Sequence, residues 1–186
     1  LAYCLASLLI YYFKPGTVIG ISVSILLLYW VVLRMGGDPA DPLSMTGNLG
    51  YKLDLWLMGK DHMYHGEGVA FDPEGWLGTL PAISNVVGGF VVGKWIQQKG
   101  ETYEGLAKFL LAGFALLVCG YFWDMVFPIN KKLWTSSFVV YTVALDCIIL
   151  AVLTYITQFE KKVSWTYFFQ VLGKNLRPEC WKNLVH

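Results

Sequence analysis

The chain is poor in charge. Only 15% of its 186 residues are Asp, Glu, Lys or Arg, against about a quarter in an ordinary soluble domain. Hydrophobic residues make up 56% and mean hydropathy is +0.52. Such a shortage excludes a soluble globular domain and places the chain in a bilayer. A basic stripe is also lacking: 14 Lys and Arg are scattered among 13 acids for a net charge of +1, which excludes nucleic acid as a partner. Cysteine is scarce and unpatterned. Cys4, Cys119 and Cys147 sit inside apolar runs and Cys180 in a polar tail. With no CxxC pair, no disulfide framework is present.

What is there is hydrophobic length. A spanning helix needs about 20 mostly apolar residues, and Gly16 to Leu33, Trp76 to Ile96 and Leu106 to Phe127 qualify. Leu133 to Thr157 makes a fourth, interrupted only by Asp146. Leu1 to Phe13 and Val163 to Gly173 have the same character but are shorter, and read as partial helices. The opening run has no charged leader and no small-residue cleavage site, so it is read as a cut helix and not a signal peptide. The fold class is therefore all-α: a polytopic membrane protein with four complete and two partial transmembrane helices. Residues 1–175 form the membrane domain, and residues 176–186 a divergent polar tail.

Loop charges orient these spans. The turns around Lys14, Lys94 to Lys108 and Lys161 to Lys162 hold six Lys, which the positive-inside tendency assigns to the cytoplasm. The 35–75 loop, with seven acids against Arg34, Lys52 and Lys60, then lies outside together with the turn from Pro128 to Trp134. Within that loop two Asp-Pro steps favour turns. Leu49, Leu53, Trp56 and Leu57 recur at helical spacing and predict a short amphipathic helix in the membrane interface.

The outer loop also concentrates chemistry. His62, His65, Asp61 and Glu67 fall close together, but no HExxH pattern supports a metal site and none is expected. His62, Asp72 and Glu74 are candidates for general acid or base work near a low-dielectric boundary. The bland alternative for Asp72 is an N-cap of a helix beginning near Glu74, with Pro73 in its first turn. Inside the spans, Asn85 and Asp146 are polar residues at membrane depth, where a carboxylate is either functional or a buried hydrogen-bonding group between helices. Gly88, Gly89 and Gly93 are read as a close helix contact.

Three motifs in order carry a resemblance. They are GKDHMY from Gly59 to Tyr64; Asp72 to Gly75 with Gly78 and Thr79 beyond; and Pro128, Asn130, Lys131, Leu133, Trp134 and Thr135 at the start of a later helix. Together they resemble the heparan-alpha-glucosaminide N-acetyltransferase family and its bacterial relatives. The resemblance implies a membrane acyltransferase, in a bacterial plasma membrane, that moves an acetyl group from cytoplasmic acetyl-CoA to the amine of a glucosamine-type sugar outside. It implies that Asp72, Glu74, Asn130 and Lys131 bind that amino sugar. The family's catalytic histidine belongs to an earlier half, so this chain reads as the C-terminal part of such an enzyme. A homodimer stands open beside a monomer. The alternative reading is a non-catalytic or transport-type membrane protein of the same fold, to which Asn85 and Asp146 would be suited.

Overall fold

A computed structural model describes residues 1–66, 68–100 and 102–175. Among the described residues seven α-helices run in order: α1 Ala2–Tyr12, α2 Pro15–Gly36, α3 Leu49–Met58, α4 Thr79–Lys99, α5 Tyr103–Asp124, α6 Ser136–Thr154 and α7 Tyr167–Asn175. Among the described residues there is no strand. Four helices, α2, α4, α5 and α6 with its π-helical continuation to Phe159, are long and apolar enough to cross a membrane. A 22-residue helix reaches about 33 Å, and the protein is an integral membrane protein. Glu67 and the tail 176–186 lie outside the described residues.

The apolar runs explain the spans, and local chemistry trims their ends. α4 begins at Thr79 and not at Trp76. Residues 72–78 are consumed by successive turns, in which the Gly75 N–H donates to the Asp72 carbonyl and the Thr79 N–H to that of Trp76. Pro81 falls in the first turn of α4, where no N–H is needed. α5 begins at Tyr103 because Thr102 caps it, accepting from the Gly105 N–H at 3.0 Å. It ends at Asp124, whose carboxylate accepts the Ile129 N–H at 2.6 Å and reverses the chain.

Helix α4 is central. Its residues Ile83 and Val87 bury Ala6 of α1 and Val18 of α2 on one side. Val92 packs with Phe109 of α5 and with Cys147 and Ala151 of α6 on the other. The outward faces keep large apolar side chains, such as Leu28, Leu111, Phe114 and Phe122, exposed. In water these faces would be unstable; against lipid tails they are satisfied.

Without a hydrophobic drive between helices in lipid, close approach depends on small residues. The α5–α6 contact uses Gly113 and Gly120. A Cβ on Gly113 would meet Cys147 Cβ at 2.9 Å, and one on Gly120 the Tyr141 backbone at 3.2 Å. The glycines of α4 divide differently from the sequence expectation. Gly88 does face a neighbour, with Val143 3.0 Å from its virtual Cβ, but Gly89 and Gly93 have nothing within 4 Å. Those two floor an open groove.

Antiparallel alternation brings the 37–78 loop and the 125–135 turn to the same end of the bundle. At the opposite end Trp95 donates to the Gly105 carbonyl, and Tyr103 lies 4.2 Å, ring to ring, from Phe159. Gly113→Ile is expected to lower stability by about 1–3 kcal/mol through overpacking against α6, whereas Gly89→Ala should leave it unchanged or slightly raised. Thermal unfolding in detergent checks both, and equal effects would refute the packing assignment.

Candidate functional site

The site is assembled from two reverse turns and one short helix. Asn48, 1% exposed, starts α3: its side chain accepts the Tyr51 N–H at 2.8 Å and donates to the Ser44 and Met45 carbonyls. The apolar face expected on α3 is not what the fold buries most deeply. Trp56 is 80% exposed and Leu57 half exposed, while Asp54 is 3% exposed. Nothing in the local pattern marks Asp54 except that it is the one acid among residues 49–58.

Asp54 holds the acidic turn. Its Oδ1 accepts the Trp76 N–H at 2.9 Å, and its Oδ2 occupies the place where any side chain at position 75 would put a Cβ. Position 75 must therefore be glycine. Asp72 does not cap α4. Its Oδ1 accepts the Glu74 N–H at 2.9 Å and closes a tight turn, leaving the Glu74 side chain exposed. Burial lifts the Asp54 carboxyl above the ordinary carboxylate range; the Trp76 N–H opposes this and the nearby negative Asp72 adds to it.

The second turn is tied to α2. Tyr29 donates its hydroxyl to the Leu133 carbonyl at 2.6 Å, and Ser136 donates to the Leu26 carbonyl at 2.6 Å. Asn130 is spent inside the turn. Its Oδ1 accepts the Lys132 N–H at 2.9 Å and the Leu133 N–H at 3.4 Å, while its own N–H donates to Thr135 Oγ1.

The two turns meet. A small cavity is lined by Asp54, Asp72 and Gly75 from one side and by Lys132, Leu133 and Tyr29 from the other. A cleft of about 310 Å³ beside it is lined by Pro73, Glu74, Gly78 and Thr79 together with Trp134. Thus Asp72 and Glu74 face different hollows. Asn130 and the exposed Lys131 line neither, and the lysine that the fold brings to Asp72 is Lys132. His62 is exposed, with Nδ1 hydrogen-bonded to the Met58 carbonyl at 3.0 Å, and His65 is exposed as well. Among the described residues no three His, Cys, Asp or Glu gather as a metal-ligating group.

Below the clefts, α4 and α6 enclose a groove of about 830 Å³. Asn85 and Asp146, unrelated in sequence, line it together with Gln97, Thr142, Gly89 and Gly93. The Asn85 Oδ1 is buried without a hydrogen-bond partner. Trp134 lines this groove and the Glu74 cleft alike.

Fold and site thus define a polytopic α-helical membrane protein with a mostly apolar groove between two spans, in which Asn85 and Asp146 lie, and a cleft at its mouth. No protein-family model matches the chain. It is 31% identical over 150 residues to human heparan-alpha-glucosaminide N-acetyltransferase, an alignment covering 72% of this chain and 22% of that protein. The chain therefore spans about a fifth of the length of this curated relative, and the similarity is a distant relationship.

Asp54→Ala is expected to cost about 1–3 kcal/mol, because the Trp76 N–H loses its acceptor. Asp54→Asn keeps an acceptor and should cost less. A raised carboxyl pKa contributes stability that is present in acid and lost as pH rises through the folded value. Wild type should therefore lose stability relative to Asp54→Asn as pH rises above the ordinary carboxylate range. A pH-independent difference in melting temperature would contradict this.

Proposed function

We propose that the chain is the C-terminal part of a membrane N-acetyltransferase that takes an acetyl group from cytoplasmic acetyl-CoA and gives it to the amine of a glucosamine-type sugar outside, in a bacterial plasma membrane. The observation that carries this reading is that one residue, Trp134, lines both the cleft holding Glu74 and the groove between α4 and α6. The likeness to an N-acetyltransferase that acts on heparan glucosaminide supports it. A donor on one side and an acceptor on the other require a path through the bilayer, and on this reading the groove would be that path.

The residues fit such a donor. Acetyl-CoA offers its acetyl as a thioester on a slender arm containing amides. The unpartnered Asn85 Oδ1 would accept an amide N–H of that arm, and Gln97 stands further along the same groove. The open floor at Gly89 and Gly93 leaves room for it.

At the mouth, Glu74 would hold the ammonium of the amino sugar through a charge-assisted hydrogen bond and accept its proton, since only the free amine can attack a carbonyl. Asp72 and Asn130 serve by shape: each holds its turn by accepting backbone N–H groups, and so each aims a neighbour. Lys131, exposed beside the cleft, would bind sugar hydroxyls. His62, outside these hollows, would contribute at the rim of the loop.

A second reading, a transport-type protein that binds a solute in the groove, is favoured by Asn85 and Asp146 sharing one cavity. Acetyl transfer to glucosamine in membranes carrying the protein separates the two. Glu74→Gln is expected to lower kcat/KM by about 10- to 100-fold, as loss of one hydrogen bond to a charged group implies. Absence of acetyl-CoA binding together with solute uptake would establish the second reading instead.

A further inference from the structure

Trp134 stands where two cavities meet. Its side chain lines both the outer cleft, with Glu74 and Thr79, and the groove, with Asn85 and Asp146. Two further observations single it out. Its backbone has φ of 50°, in the left-handed region that a bulky L-residue avoids. Its indole Nε1 is buried without a hydrogen-bond partner, although buried N–H groups are nearly always paired.

The conformation is imposed from both sides. Leu133 is fixed by the Tyr29 hydroxyl, Thr135 donates to the Pro128 carbonyl at 2.9 Å, and Ser136 is anchored on Leu26. The Trp134 N–H itself donates to the Lys131 carbonyl, and the ring meets Phe138 edge to face with centroids 5.6 Å apart. The backbone around it is fully tied down, and the indole donor at the boundary has no partner, like the Asn85 Oδ1 in the groove. Trp30 Nε1 is unpartnered too, but Trp30 has ordinary helical backbone and packs against Trp123 away from both clefts. Strain held at a cavity junction by its surroundings is the pattern of a functional position.

We propose that Trp134 is the partition between the outer cleft and the intramembrane groove, and that its indole N–H donates to the carbonyl oxygen of an acyl thioester brought up to it. The donor half of this rests on the acetyl-transfer reading above; the partition does not. An indole N–H is a neutral donor that neither accepts nor loses a proton. It can therefore stabilise charge developing on a carbonyl oxygen without taking part in proton transfer. As the amine nitrogen bonds to the carbonyl carbon, the C–S bond breaks and the sulfur leaves as thiolate. The proton released by the amine as it attacks passes to the departing thiolate, Glu74 already holding the one given up by the ammonium, and the indole keeps its own. The ring meanwhile keeps bulk water from the thioester, which water would hydrolyse.

Two measurements on the protein in lipid vesicles test the two halves. Thr142→Cys places a thiol in the groove, in a background whose four native cysteines are alanine. A charged, membrane-impermeant maleimide added from the loop side should label it slowly with Trp134 present, several-fold faster with Trp134→Ala, and slowly again with Trp134→Phe. Equal labelling with Trp134 and Trp134→Ala overturns the partition. Trp134→Phe should lower kcat for acetyl transfer by about fivefold, the worth of one neutral hydrogen bond, with KM for the sugar unchanged. An unaltered kcat overturns the donor role. Wild type that neither binds nor consumes acetyl-CoA overturns the donor role together with the transfer reading, and the labelling result then still decides the partition.

Discussion

The hydrogen bond from the Tyr29 hydroxyl to the Leu133 carbonyl is the contact on which the loop-bearing end of the molecule depends. In lipid a helix satisfies its own backbone, but the chain reversal between two spans cannot, and its carbonyls need donors from elsewhere. Tyr29, buried on α2, supplies one, and Ser136 returns a second link to the Leu26 carbonyl. Phe127 fills the space beneath with Tyr29 and Leu33. The turn is thereby referred to α2, a helix about a hundred residues earlier, and not merely to the spans it connects.

A matching device fixes the other turn. Asp54 on α3 accepts the Trp76 N–H and presses against Gly75, so the short surface helix and the start of α4 move as one piece. A carboxylate buried this way is costly unless hydrogen-bonded, and a single backbone donor with Asp72 nearby compensates it only in part. With each turn pinned to a helix, their meeting follows from rigid attachment. That leaves Glu74 unengaged at the cleft and Trp134 held at the inner wall.

The groove beneath follows from helix packing. Gly113 and Gly120 draw α6 toward α5, and Gly88 lets one turn of α4 touch Val143. Beyond that turn Gly89 and Gly93 bring no side chain to fill the gap, so α4 and α6 stay apart where Asn85 and Asp146 lie. Glycine thus makes contact in one register and a void in the next, which accounts for a groove that reaches Asn85 and Asp146 inside an apolar bundle.

Hydrophobic length alone determined the membrane class, the four spans and their approximate limits, because burying a backbone in lipid demands about 20 apolar residues whatever surrounds them. The same patterning located the two turns that share one end of the bundle and flagged Asn85 and Asp146 as out of place. Tertiary structure alone decided the rest. The sequence could not say that Asp54 would be buried and Trp56 exposed on the same short helix. Nor could it tell Lys132 from Lys131 at the cavity, split Asp72 from Glu74, or set Trp134 between two hollows. Each of these depends on which way a side chain points once distant segments are locked together, such as Asp54 with Trp76 or Tyr29 with Leu133. Periodicity within one helix carries no information about such long-range donors and acceptors.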